Sequence, residues 1–501
     1  MDLQKRLGFI EATKKKIFEP PKSAGKKTAI ERMNLLFDEN TFVETSAYVK
    51  KRANEFPELN ASGDYEGILA GYGSIGGRLV FAYSQNFSTM SGALSEAGVK
   101  KILALYSMAE KNGAPVVSIF DSSGAVVTEG MDVLAGYGSI IQKASILSGV
   151  VPQYSLVCGT CAGGAAVIAS VSDFVFIEKD NGKIFVNSPF VIKNRTENAR
   201  GDVGSAQFAA KNGQCAKILE GEEQLFASLR ELVEYIPSNN LEKNAYPGIE
   251  DDVNRLNENL ADYVLAENYD IKQVITEIAD NGKMFEVYEN HAAVMVCAFV
   301  SVANTTVGVV ANQPKESGGA ICPEACDKAA RFIYVCDSFN IPVLSLVDTA
   351  GMIVSESAEN SRFALCAAKL ASAYSMASVP KITVNIGKAY GAAYVVMGSK
   401  GLGADMVMAY PTAQIGILPP DAAVELIYGE EIAKDPDPGA KREQLFELWE
   451  TEKCSPVEAA SGGAIDNIIE PLRTRQMIAS AIYLLQSKRE ARPAKKYDKR
   501  M

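Results

Sequence analysis

One block of this chain occurs twice. The stretch Val151–Ile177, VPQYSLVCGTCAGGAAVIASVSDFVFI, reads as a strand, a glycine turn, a short helix opening on Gly163–Gly164 and a second strand. Val379–Met408, VPKITVNIGKAYGAAYVVMGSKGLGADMVM, repeats that order. Val151–Pro152 falls on Val379–Pro380, Gly159 on Gly387, and Gly163–Gly164–Ala165 on Gly391–Ala392–Ala393, all at a spacing of 228 residues. Upstream, Pro115–Ser118 with Asp121–Ala125 matches Pro342–Ser345 with Asp348–Met352 at 227, and Ser95–Glu96–Ala97 matches Pro323–Glu324–Ala325 at 228. A nearly constant spacing across three blocks implies two copies of one domain, taken as residues 1–240 and 241–501.

Each copy alternates short strands with helices and opens its turns on small residues, so the fold class is α/β, with ligands expected at strand-end turns. A helix that begins on glycine or alanine leaves its first N–H groups unshielded, with the positive end of the helix dipole behind them. Such a place holds a developing negative charge on oxygen without any side chain. The plain alternative is that small residues there only permit close helix–strand packing. The remaining elements follow from pattern. Thr28–Asp38 is an amphipathic helix after a break at Pro20–Pro21, and Phe42–Glu44 is an entry strand. Tyr65–Gly73 and Leu79–Tyr83 pair across Gly76–Gly77, and Ser91–Asn112 is a long helix with Glu96, Lys100 and Lys101 on its wetter side. Val116–Phe120 is a buried strand, while Val133–Ser148 and Glu222–Tyr235 are helices. Asn194–Gln214 reads as a lid-like segment and Pro237–Asp262 as the linker. The second copy runs from Val274–Phe285 to near Pro420, followed by helices at Ala422–Lys434, Lys441–Thr451, Ser455–Ala460 and Thr474–Gln486.

Several chemistries are excluded or disfavoured. A net charge of −11 argues against a nucleic-acid partner. The nine cysteines are scattered through apolar stretches, as buried thiols in a reducing compartment would be; Cys158 and Cys161 form a single CxxC without the second pair a zinc ribbon needs. No secretory leader opens the chain, and Val294–Val310 is β-branched and broken at Asn304, so a cytoplasmic protein is expected. The one histidine, His291, beside Asn290 at a strand start, reads as a surface residue, which removes Ser–His–Asp, Cys–His and histidine-rich metal chemistry. No GxGxxG or P-loop occurs. Any chemistry must run on backbone donors, carboxylates, lysines or a group the substrate carries.

At this point the motifs GALSEAGVKKI from Gly92, LAGYGSI from Leu134, CAGGA from Cys161, DKAARFIYVCDSFNIP from Asp327, the Val379 block and YPTAQIGIL from Tyr410 become informative together. From roughly Lys26 to Lys488 the chain resembles the carboxyltransferase subunits of biotin-dependent acyl-CoA carboxylases and decarboxylases, within the crotonase superfamily. The resemblance implies two tandem crotonase-like domains, the first holding acyl-CoA and the second holding biotin borne on a separate carrier protein. It implies an acyl-CoA oxyanion hole from the N–H groups of Ala125 and Gly164, beside Gly163. It implies a biotin hole from Met352 and Ala392, with Ala393, beside Gly391. Ser123, Gly124 and Val126 would line the acyl-CoA side, and Tyr394 and Val395 the acyl end. No protein base and no metal are needed, because the biotin anion takes the acyl α-proton. The implied partners are a biotin carboxyl carrier protein, a biotin carboxylase or membrane decarboxylase subunit, and further copies of this chain in a hexamer with sites between subunits. The family's DSGGAR stands here as Asp121–Ser122–Ser123–Gly124–Ala125–Val126, which keeps open a non-catalytic scaffold. A crotonase-type hydratase or isomerase would need a glutamate where Val167 and Val395 stand.

Overall fold

The computed structural model describes residues 2–18, 25–52, 66–196, 201–244, 251–266, 268–490 and 493. Gly76 and Gly77 take the positive φ values (55° and 76°) that a tight hairpin turn demands. There the chain folds into the antiparallel pair Ile68–Ile75 and Arg78–Gln85. With the short edge strand Val43–Glu44 these are β1, β2 and β3. The strands β4 (Val116–Phe120), β5 (Gln153–Val157), β7 (Phe174–Glu178) and β9 (Lys217–Leu219) then add in parallel. Two further short strands, β6 (Thr160–Ala162) and β8 (Lys183–Phe185), pair beside the sheet. Val116–Phe120 and Gln153–Val157 are buried at every position, as parallel strands covered on both faces must be.

The chain divides into two compact units, Met1–Glu242 and Lys243–Met501, and the second repeats this topology. Its strands are β10 (Met284–Val287), β11 (Met295–Val302), β12 (Thr305–Asn312), β13 (Val343–Thr349), β14 (Lys381–Tyr390), β15 (Met406–Ala409), β16 (Gln414–Gly416) and β17 (Asn467–Ile468). Among the described residues the order is β1-β2-β3-β4-β5-β7-β9 in the first unit and β10-β11-β12-β13-β14-β15-β17 in the second, with β16 on β14. The hairpin β11–β12 turns at Ala303–Asn304, again at positive φ.

One side-chain device recurs where the residue spacing no longer reveals it. Asp38 accepts hydrogen bonds from Ser74 Oγ (2.9 Å), Gly76 N (3.2 Å), Gly77 N (3.0 Å) and Arg230 Nη2 (2.7 Å). Asp280 accepts from Ser301 Oγ (2.6 Å), Ala303 N (3.1 Å), Asn304 N (3.0 Å) and Arg475 Nη2. Each arginine also donates Nη1 at 2.6 Å to a carbonyl two residues before its aspartate, Leu36 or Ile278. A carboxylate thus closes each hairpin turn and ties it to the last helix of its unit.

The structure revises several expectations. The long helix begins at Glu96, capped by Ser95, after a single turn of 3-10 helix over Met90–Gly92. Its counterpart is capped by Cys322, so the spacing there is 227, and the match of Ser95 to Pro323 is one residue off. Lys101 is not on the wet face: it is 5% exposed, its ammonium donates to the Ile68 carbonyl, and it lies 3.7 Å from Glu44. Lys328 repeats this, donating to the carbonyls of Tyr288 (2.9 Å) and His291 (2.8 Å). Of the lid-like segment, Ala206–Lys211 is a helix whose Ala206, Ala209 and Ala210 join the core, while 197–200 lie outside the described residues. So do the break at Pro20–Pro21, residues 53–65 and residues 245–250 of the linker. Asp251 and Asn257 bind Arg255 and Arg475 and belong to the second unit rather than to a linker. That unit starts its repeat with a helix at Ile271–Ile278 and does not end near Pro420. Ser455 caps Pro456–Ser461 as Ser205 caps Ala206–Lys211, and β17 matches β9, all at a spacing of 250. Between these landmarks the second copy carries a helical hairpin, Pro420–Lys434 and Pro438–Leu448, that ends in a π turn at Trp449–Lys453.

Burial alone would push the Asp38 carboxyl up, but the hydrogen bonds from Gly77, Arg230, Ser74 and Gly76 outweigh it and hold the group below the usual range. A carboxyl depressed on folding contributes stability above its unfolded pKa of about 4, and that stability is lost as pH falls through the folded value. Asp38→Ala should therefore cost about 2 kcal/mol near neutral pH. In urea titrations the gap from wild type should narrow steadily as pH drops below about 4.

Candidate functional site: two strand-end turns with unspent amides

The turn leaving β4 can be followed peptide by peptide. The N–H of Asp121 donates to Gln85 Oε1 (3.1 Å), that of Ser122 to the Thr160 carbonyl (2.9 Å) and that of Ser123 to the Ser91 carbonyl (2.9 Å). Gly124 donates to Ser122 Oγ (3.0 Å) and Val126 to the Leu94 carbonyl (2.8 Å), while Leu94 donates to the Gly124 carbonyl (2.9 Å). Leu94 and Ala125 thus face each other across an isolated parallel bridge in which the residues flanking Ala125 make the bonds. The peptide groups of Ala125 itself point to the opposite side, and among the described residues its N–H has no acceptor.

The turn leaving β13 repeats this account. Ala350 donates to the Gly318 carbonyl (3.1 Å), Gly351 to Thr349 Oγ1 (3.2 Å), Ile353 to the Ile321 carbonyl (2.9 Å) and Ile321 to the Gly351 carbonyl (3.0 Å). Ile321 bridges Met352, whose N–H again has no acceptor among the described residues. Gly124 and Gly351 share φ of 126°, a value that strains any residue with a side chain.

Beside each turn a helix opens on a glycine. Gly163 (φ 58°, ψ −123°) donates its N–H to the Phe185 carbonyl (2.9 Å), which leaves Gly164 to start the helix Gly164–Val171. Gly391 (φ 56°) starts the helix Gly391–Val396, with Ala392 exposed in its first turn. The first N–H groups of any helix lack an intrahelical acceptor, and Gly164 and Ala392 are such positions. Packing also claims Gly164: a Cβ there would lie 2.7 Å from the Tyr137 ring. Turn and helix start are locked together within each unit. A Cβ on Gly159 would lie 2.0 Å from Asp121 Oδ1, and one on Gly387 would lie 2.4 Å from Asp348 Oδ2.

These two carboxylates are held by different means. Asp121 is fully buried and takes Lys26 Nζ at 2.6 Å and Arg32 Nη2 at 2.9 Å, with Arg32 also bonded to both oxygens of Glu222. Asp348 accepts from the Tyr269 hydroxyl (3.0 Å) and the Lys388 N–H (2.9 Å). Burial raises the Asp348 carboxyl above the ordinary range, against the hydrogen bonds from Lys388 and Tyr269. A carboxyl raised on folding contributes stability below its unfolded pKa of about 4 that is lost as pH rises through the folded value. Asp348→Asn keeps the shape and cannot ionise. Its unfolding midpoint should match wild type near pH 4, exceed it by an amount that grows as pH rises through the folded value of Asp348, and then level off; an unchanging difference from pH 4 upward would contradict the assignment.

The other residues singled out from sequence fall as follows. Ser123 is exposed, whereas Val126 is buried at 6% exposure and Val127 faces outward at 86%. Ala393 is buried and Val395 is 46% exposed. Tyr394 is half-buried, with its hydroxyl 3.5 Å from the Ala464 carbonyl. His291 is partly exposed. Cys158 and Cys161 are buried, and burial raises both thiols far above the usual range. Among the described residues no group of three or more His, Cys, Asp or Glu is arranged to hold a metal ion, and no helix is long and apolar enough to cross a membrane. Sequence reading takes the basic pair Lys26–Lys27 for solvated surface, whereas Lys26 reaches Asp121, and it overlooked Arg32 and Tyr269; only the unexplained aspartate opening each repeated turn pointed toward them.

Comparison with known proteins gives this geometry a context. Residues 20–499 match the carboxyl transferase domain family. The chain is 40% identical to the methylmalonyl-CoA decarboxylase subunit alpha of Propionigenium modestum, covering 96% of this chain and 94% of the relative. It is 38% identical to the propionyl-CoA carboxylase beta chain of Roseobacter denitrificans, covering 95% and 93%. The crystal structure of transcarboxylase 12S, described as a hexamer assembly with hydrolysed methylmalonyl-coenzyme A bound, superposes with a TM-score of 0.95 at 36% identity, covering 99% of this chain and 98% of that one. The two repeated α/β units are crotonase folds, and the chain belongs to the carboxyl transferase domain family.

Proposed function

We propose that this chain is an enzyme that transfers a carboxyl group between carboxybiotin, borne on a separate carrier protein, and the α-carbon of a short-chain acyl-CoA such as propionyl-CoA or methylmalonyl-CoA. The observation that carries the reading is the matched pair of unspent amides: Ala125 and Met352 occupy the same place in two copies of one turn, each beside a glycine-opened helix. Peptide donors fixed before the reaction stabilise an oxyanion without reorganising, which is where most of such a rate enhancement arises. In this reading the N–H groups of Ala125 and Gly164 hold the thioester oxygen as the α-proton leaves. Those of Met352 and Ala392 bind the ureido oxygen of biotin, and biotin supplies the carboxyl group and the base.

The donor set fits both groups. Each is a neutral carbonyl that gains negative charge, and neither needs a side-chain acid. The crotonase hydratase reading lacks its agent, since exposed Val167 and Val395 hold the positions a glutamate would need. Nor do Ser123 and Val126 favour a non-catalytic scaffold. Ser123 and Ala350 make the same backbone bond, as do Val126 and Ile353, so the turn with Ser123 and Val126 keeps the backbone bonds of its counterpart in the second copy. Relatives named for a decarboxylase and for a carboxylase are both close, and the same half-reactions serve either direction. Assembly with a biotin carrier, with a carboxylase or membrane decarboxylase subunit, and into a homohexamer like that of transcarboxylase 12S completes the proposal.

Purified protein given methylmalonyl-CoA or malonyl-CoA and free biotin should release CO2; a folded protein with no turnover would return the scaffold reading. Ala392→Pro deletes one donor where the helix does not use it, and proline is tolerated in a first turn. The variant should lose about 10²–10³ in turnover at a nearly unchanged melting temperature. Activity within about twofold of wild type would remove Ala392 from the site.

A further inference from the structure

The residue before the second glycine-opened helix differs in kind from its counterpart in the first. Tyr390 stands where the first copy has Ala162, and Gln414, in the strand beside it, stands where the first copy has Lys183. Tyr390 is 4% exposed, and its hydroxyl donates to Gln414 Oε1. Gln414 Nε2 donates to Glu450 Oε1 at 2.5 Å. An amide that accepts from a phenol and donates to a carboxylate is fixed in orientation, since the reverse placement would set its NH2 against the phenol and its oxygen against an oxygen. Glu450 lies in the π turn Trp449–Lys453, the end of the helical hairpin that the first copy lacks. The main chain fastens the same place: Ile415 donates to the Cys454 carbonyl (2.8 Å), as Ile184 in the first copy donates to that of Gly204 (2.9 Å). Both copies thus brace the strand beside the helix start with one backbone bond, and only the second adds a side-chain line from the hairpin to the residue preceding Gly391.

We infer that Tyr390, Gln414 and Glu450 form a positioning relay that sets the amides at the Gly391–Ala392 helix start from the helical hairpin. This rests on the second cradle being the biotin cradle, as proposed above. None of the three is a catalytic residue. Their action is through the peptide on either side of Gly391, which takes a positive φ and has no side chain of its own to anchor it. Donors in such a site must keep their aim to within about 0.5 Å, so a relay worth a single hydrogen bond has a disproportionate effect on rate. The first cradle, built with Ala162 and Lys183, is independent of it.

The test compares Tyr390→Phe, Gln414→Leu, Glu450→Leu and Glu450→Gln in the full chain. Hydrogen–deuterium exchange, which needs no activity, should speed up across 388–397 in the first three and leave 120–130 and 160–170 unchanged. Turnover of methylmalonyl-CoA with free biotin should fall about tenfold in kcat, the effect of one misplaced hydrogen bond. Propionyl-CoA affinity by calorimetry and the melting temperature should stay at wild-type values. Glu450→Gln, whose side-chain oxygen still accepts from Gln414, should stay within about twofold of wild type. Unchanged exchange in Tyr390→Phe, or propionyl-CoA affinity falling along with kcat, would overturn the relay. Variants that exchange as described beside a wild-type protein that turns over nothing would leave the relay standing and remove the proposed reaction instead.

Discussion

An extended peptide segment can turn only alternate residues toward one neighbour. The turns after β4 and β13 are built on that limit. Leu94 and Ile321 engage the residues on either side of Ala125 and Met352, and the amides in the middle are left facing away, with no acceptor among the described residues. The surrounding features can be read as means of holding this arrangement. Gly124 and Gly351 supply the same backbone angle, Ser122 and Thr349 pin it by side-chain bonds, and Gly159 and Gly387 let an aspartate press against the neighbouring strand end.

The duplication was legible because its turns are made of glycine and small residues at a rigid spacing, and the helix-opening glycines followed from the same pattern. What escaped was whatever depends on partners remote in sequence. Asp38 and Asp280 close equivalent hairpins, yet 242 residues separate them while their hairpins stand 227 apart, so no constant offset exposes the pair. Lys101 reads as a surface lysine because its helix carries Lys100 beside it; its burial depends on the carbonyl of Ile68, on another element. The end of the second copy was misplaced for a related reason. An insertion shifts the spacing from 231 at β8 and β16 to 250 at the following helix, which hides the match of Ser205–Leu219 to Ser455–Ile469.

The copies have kept one geometry and changed how it is supported. Below the first turn Asp121 is compensated by Lys26 and Arg32, and Arg32 in turn by Glu222, an ionic cluster drawn from three separate segments. Below the second, Asp348 has a phenol and a peptide N–H. Buried ion pairs of the first kind add little net stability and cost much when one partner is lost, whereas the second arrangement can exchange a proton. Similar scaffolding therefore need not respond alike to acid, salt or substitution in the two halves.

A hydrogen-bond donor that belongs to the main chain has no ionisable proton in the physiological range and no side chain for evolution to replace. Around the two amides the sequence has drifted: serine against alanine at Ser123 and Ala350, valine against isoleucine at Val126 and Ile353, glycine against alanine at Gly164 and Ala392. Every one of those exchanges leaves the peptide group itself in place. Walls around donors of this kind can be rewritten while the donors themselves stay beyond the reach of nearly every codon change but one to proline.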